Sequence, residues 1–335
     1  MRKSLLHCRC ITYRHVKFFK RIESHSGVSR NPVLFAGFRH SPTGWKKLHI
    51  QFNCFPIQHY PQDGETSPCP YFFPITLLTS PENIRQIYLH LRTRARQIIS
   101  RFPAPAFYSD YLLATVFSRH FFHTDPIVRE VRHAAFSRLE EDFGHGMDHA
   151  RKVSLDAGTL VIAESGKQSY SDSLVQTRIR LAQCAGLLHD IMRKEKDHAA
   201  AGAEYAREVL RNFPFRPDEI EDISQAIGNH EAFKETVPVH TPDGLLISNC
   251  LYDADKFRWG SDNFQDTVWD MVIFLQIPFG EFLRRYPVGM EKIAAIRDTF
   301  RSDTGKKYGP QFIDAGLAIG AELYAVIQAE FAAFA

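Results

Sequence analysis

Residues 181–198 read LAQCAGLLHDIMRKEKDH. Leu187 and Leu188 lead an apolar run straight into His189 and Asp190, and Ile191 follows before a basic turn opens. An ionised carboxylate or an unpaired imidazole inside an apolar run costs free energy unless something compensates it. A divalent cation is the natural compensation. Successive helical side chains diverge by about 100°, yet at a helix terminus the next residue can fold back, so an adjacent His-Asp pair can offer nitrogen and oxygen to one ion. Two more segments have the same texture: GHGMDHARKV at 144–153 and ISNCLYDADKF at 247–257. His149 from the first and Asp255 from the second complete a mixed shell of nitrogen and oxygen ligands with His189 and Asp190.

Around these segments, apolar residues recur three and four apart, broken by short Gly, Pro, Asn or Asp stretches. The spacing predicts helices over 126–142, 147–165, 173–190, 197–212, 217–231, 243–258, 263–276, 279–285, 288–302 and 310–333. Strand signals are nearly absent, and connections of two to eight residues imply antiparallel neighbours around one core, so the fold class is all-α.

The order His149, then His189-Asp190, then Asp255, each in helical context, resembles the HD-domain metal-dependent phosphohydrolase superfamily over residues 127–280. The family's first phrase, Asp-x-x-His-x-x-x-Val, is matched with His149 and Val153, which leaves His145 the weaker candidate. Leu187-Leu188-His189-Asp190-Ile191, followed by basic residues and a His, is close to the second phrase. Asp253-Ala254-Asp255-Lys256-Phe257 is similar to the closing Ala-Asp-(Arg/Lys)-hydrophobic phrase; it favours Asp255 as the ligand, with Asp253 as a supporting residue or the alternative ligand. His198 and His230 stand where related proteins bind the substrate phosphate or a second metal. Arg193, Lys194 and Lys196 follow the His-Asp pair, where cations can hold phosphate oxygens.

The resemblance implies an HD-domain-like helical bundle that hydrolyses a small phosphate ester or nucleotide. Water activated by the metal would attack phosphorus, with Asp190 and Lys194 as the catalytic pair and Asp190 orienting or deprotonating the water. A His and carboxylate shell without thiolate suits Mn, Fe, Co, Ni, Zn or Mg. One departure narrows the family: the cyclic-dinucleotide phosphodiesterase branch carries Gly-Tyr-Pro after paired histidines. Here Asn229-His230-Glu231 has a single His, and Tyr308-Gly309-Pro310 has another order and lies far downstream, which disfavours that branch.

The remainder of the chain is a different material. Residues 1–126 hold 17 Lys/Arg against 6 Asp/Glu (+11), and residues 127–335 hold 24 against 32 (−8). Residues 1–105 read as a basic extension of low order with one isolated helix near 80–102, and 106–335 as the helical domain, in which 281–335 supply packing helices. Aromatics such as Phe18, Phe19, Trp45 and Tyr60 among the basic residues offer a rival reading, a nucleic-acid arm within residues 1–100. A catalytically silent HD-type binding module is the other rival. Six cysteines without a Cys-x-x-Cys pair argue against structural zinc and a disulfide framework. No run approaching the roughly 20 apolar residues of a membrane span stands out, so the sequence reads as cytoplasmic, with no membrane contact and a small phosphorylated substrate as partner.

Overall fold

The computed structural model describes residues 81–139, 146–166 and 172–331. The chain divides into residues Met1–Ser67 and the compact unit Pro68–Ala335, and every described residue lies in the latter. His145 and most of the expected low-order extension lie outside the described residues.

Twelve α-helices run through them, with no strand: α1 (Pro81–Ile99), α2 (Ala106–Asp110), α3 (Leu112–Thr124), α4 (Pro126–Phe136), α5 (Met147–Glu164), α6 (Ser173–Leu188), α7 (His198–Val209), α8 (Pro217–Gly228), α9 (Pro242–Phe257), α10 (Val268–Phe274), α11 (Phe279–Ile296) and α12 (Asp303–Glu330). A π-helical turn, Asn263–Thr267, leads into α10. The expected all-α class stands.

Local chemistry sets the helix starts. Asp125 accepts from the Val128 N–H at 2.9 Å with Pro126 opening α4, and Thr241 accepts from the Gly244 N–H at 2.8 Å with Pro242 opening α9. Asp172 caps α6 through the Leu174 N–H, and Ser302 caps α12 through the Gly305 N–H.

α5 and α6 are buried almost all round, which marks core helices. They pack on each other, and α3, α4, α8, α9 and α12 surround them. The close approach of α5 and α6 depends on Gly186, where an added Cβ would stand 2.7 Å from the Cα of Ser154.

Three expectations change. α1, expected to stand apart, packs on α10, α12 and the π-helical turn: Tyr88, Leu91 and Ala95 are fully buried, and the Tyr88 hydroxyl donates to the Ile277 carbonyl at 2.7 Å. Its arginines face acids, Arg92 on Asp266 (2.6 Å) and Asp270 (2.8 Å), and Arg94 on Glu330 (2.8 Å). The expected break near residue 286 is absent, because α11 runs through Pro287 with Phe279, Phe282 and Ile293 buried on either side. Last, α12 is long and apolar enough to cross a membrane by length and composition. Here Phe312, Ile313, Ile319 and Leu323 are buried and the helix packs on α1, α5, α9 and α11.

Candidate metal centre

Five helix ends meet at one point. His149 lies in the first turn of α5, His189 caps α6 with Asp190 next to it, and His198 opens α7. His230 follows the end of α8, and Asp255 sits in the last turn of α9. All six are buried.

Their ligand atoms form two groups, His149–His189–Asp255 and Asp190–His198–His230, and within each group the atoms lie within 4.8 Å of one another. In the first, His149 Nε2 is 3.2 Å from His189 Nε2 and 3.3 Å from Asp255 Oδ1. In the second, His198 Nε2 is 3.2 Å from His230 Nε2. Asp190 spans both. Its Oδ2 lies 3.4 Å from His189 Nε2 and 3.7 Å from His149 Nε2, while its Oδ1 lies 3.4 Å from His198 Nε2 and 3.5 Å from His230 Nε2.

The chemistry of the donor set fits a cation. His189 Nδ1 lies 2.8 Å from the Gly186 carbonyl, and His230 Nδ1 lies 2.6 Å from the Ile227 carbonyl. A carbonyl only accepts, so each Nδ1 carries a proton, which leaves Nε2 as the nitrogen of each ring that can ligate, on the side of the carboxylates and the other imidazoles. Imidazole lone pairs crowded together need an electrophile between them. The same backbone bonds fix the ring orientations, as partners behind metal-bound histidines do.

The electrostatics reflect how closely carboxylates, cations and imidazoles are packed. Burial works to raise the Asp255 carboxyl, but Lys256, with Nζ 2.5 Å from Oδ2, outweighs it together with His149 and His189 and holds the group well below the usual carboxylate range. Burial works to lower His189, yet Asp190, Asp255 and the Gly186 carbonyl raise it. His198 is pushed down to about 4 by burial, helped by Arg193 and His230 against Asp190. Accordingly Arg193 Nη1 donates to His198 Nε2 at 2.7 Å.

Asp253 turns away from the cluster. Fully buried, it accepts from the Arg301 N–H (2.8 Å), the Ser302 N–H (2.8 Å) and the Ser302 hydroxyl (2.7 Å), and so ties α9 to the start of α12. Arg301 in turn stacks on Tyr252 at 3.6 Å and donates to the Asn229 carbonyl at 2.8 Å, which steadies the residue before His230. Lys194 extends over the Phe274 ring at 5.7 Å, and Arg193 is the cation of that turn that reaches the cluster. Lys256 was not singled out from the sequence as a site residue, and its signal was its place directly after Asp255; Arg193 was named there with Lys194 and Lys196 as a cation for phosphate oxygens, and its contact with His198 is what the structure adds.

Beside His149 opens a cavity of about 290 Å³, bounded by Lys152, Arg258 and Asp262 on one side and by Arg92 and Asp270 on the other.

The family model described as HD domain matches residues 146–259, a span that holds all six cluster residues. Among solved structures, a predicted HD superfamily hydrolase from an uncultured Thermotogales bacterium is similar, with 21% identity over 62% of this chain and 94% of that one and a TM-score of 0.37, a likeness too distant to fix fold or function. No curated protein matches the chain significantly.

Proposed function

Because residues 146–259 match the HD-domain family model, we propose that the chain is a metal-dependent phosphohydrolase whose two ligand groups act together on a phosphate ester. The observation that carries this reading is Asp190, whose two oxygens face the two groups separately, with 3.4 Å contacts to His189 on one side and His198 on the other. A carboxylate so placed can serve both groups and still lie against a water between them.

A divalent ion bound there supplies a Lewis acid, which lowers the pKa of water and offsets charge developing at phosphorus. The chain's own residues do the remainder. His149, His189, Asp255 and Asp190 Oδ2 hold the first position; His198, His230 and Asp190 Oδ1 hold the second. Asp190 orients the nucleophilic water and takes its proton. Arg193 donates to His198 Nε2; a bound ion would take that lone pair and leave the guanidinium to hold phosphoryl oxygens, with Lys194 as the further cation of that turn. Lys256 keeps Asp255 ionised and therefore ready to ligate. A silent binding module would not need a carboxylate shared between two groups.

Two measurements test the reading. Elemental analysis of protein purified without chelator is expected to find up to two divalent ions per chain, with His230→Ala losing one. Metal-loaded protein assayed on a panel of phosphate esters is expected to turn at least one over, and Asp190→Asn to slow that turnover by about 10²–10⁴-fold. Near wild-type rates in Asp190→Asn would overturn the assignment.

A further inference from the structure

The cavity beside His149 has an unusual lining. Among the described residues that bound it, the His149 imidazole is the one aromatic ring, and no Ala, Val, Leu, Ile or Met takes part. Small-molecule pockets are mostly apolar, so a wall made of carboxylates, cations and a hydroxyl limits what can bind.

Its charges are also already matched. Lys152 Nζ lies 2.9 Å from Asp148 Oδ2 and 3.2 Å from Asp262 Oδ1, and Arg258 contacts Asp262. Arg92 is held between Asp266 and Asp270 at 2.6 and 2.8 Å. A planar base would find little apolar surface, the His149 ring and the Thr267 methyl, and a second anion would find cations already neutralised. A hydroxyl group, both donor and acceptor, can bond a carboxylate and a cation of the same pair at once.

Half of this wall comes from outside the HD segment: Arg92 from α1, Asp262 just before the π-helical turn, and Asp266, Thr267 and Asp270 from that turn and α10. Arg92 also donates to the Gln265 carbonyl, at 3.3 Å, so α1 and this turn form one unit in the wall of the cavity that His149 also lines.

We propose that this cavity binds the hydroxylated leaving group of a sugar or polyol phosphate, with its phosphoryl end at His149 and Asp190 and its hydroxyls among Arg92, Thr267 and Asp270. The proposal rests on the phosphohydrolase reading for its chemistry. Water adds its oxygen to phosphorus and the ester P–O bond breaks. One proton of the water ends on the departing sugar oxygen, and the other stays with inorganic phosphate.

The test uses the full chain loaded with metal. Binding of glucose 6-phosphate, glycerol phosphate and adenosine monophosphate is measured by calorimetry, and their turnover by phosphate release. The sugar and polyol esters are expected to bind about tenfold or more tightly than the nucleotide. Asp270→Asn is expected to weaken glucose 6-phosphate binding by about tenfold, the loss of one charge-assisted hydrogen bond. Thr267→Val leaves every ion pair in place and is expected to weaken it several-fold, with the melting temperature of each variant reporting that it folds. Tighter binding of the nucleotide, or unchanged glucose 6-phosphate affinity in both folded variants, overturns the proposal. Binding of the sugar ester without turnover of any ester upholds the cavity assignment and overturns the phosphohydrolase reading instead.

Discussion

Two aspartates two residues apart on α9 have opposite jobs. Asp255 faces the imidazoles, whereas Asp253 faces two backbone N–H groups and a hydroxyl at the start of α12. Asp255→Ala is therefore expected to lower metal content with little loss of stability after chelation. Asp253→Ala is expected to leave buried donors unsatisfied and to destabilise the fold by about 2–3 kcal/mol in urea unfolding, with metal stoichiometry retained. His198 sets an acid limit: its pKa lies near 4 in the fold against an ordinary 6.5. A depressed folded pKa contributes stability in full above pH 6.5, and that contribution is lost as pH falls through about 4. The chelated protein should thus melt at lower temperature as pH drops across that window, and His198→Gln should flatten the dependence. The grouping of these side chains was legible in the sequence because His189-Asp190 sits inside an apolar run, where charge needs a reason. Arg193 against His198 was not, because which of three neighbouring cations turns inward depends on the path of the turn between α6 and α7.

The pair α5 and α6 holds His149 and His189 at matched ends, so the site depends on how closely these helices approach. Gly186→Ala would drive a methyl into the backbone at Ser154. Overpacking of that kind costs about 1–3 kcal/mol and would part the two histidines, so the variant should melt earlier and bind metal more weakly, as denaturation and metal titration would show. Helix α1 and the π-helical turn act as another element, since they supply the outer wall of the cavity. The sequence marked α1 by its Ser-Pro start and apolar spacing, yet its docking rests on Tyr88 and Arg92 meeting residues about 180 positions away. α2 and α3 went unread because LLATVFSRHFFHT lacks a clean apolar stripe: Leu112, Leu113 and Val116 stay exposed while Ser118 is buried. In α11 and α12, packing on both sides of Pro287 and Pro310 outweighs the roughly 3 kcal/mol that an interior proline costs, so punctuation that reads as a break was overridden.

Across the whole molecule, the cluster collects ends from five helices that stretch from His149 to Asp255, so a bound cation joins elements that otherwise meet only through the core. Saturating metal should therefore stabilise the fold, by about 2.7 kcal/mol at a hundredfold excess over Kd, and a chelator should lower the melting temperature accordingly. The bonds from His189 Nδ1 to the Gly186 carbonyl and from His230 Nδ1 to the Ile227 carbonyl join each ring to the backbone of its own preceding turn. Two of the rings are thus aimed before any ion arrives, unlike small zinc domains that fold only around their metal. The consequence is a vessel that can be emptied and refilled: stripped protein should keep its circular dichroism, and adding the ion back should return function within the time of mixing, with no refolding lag.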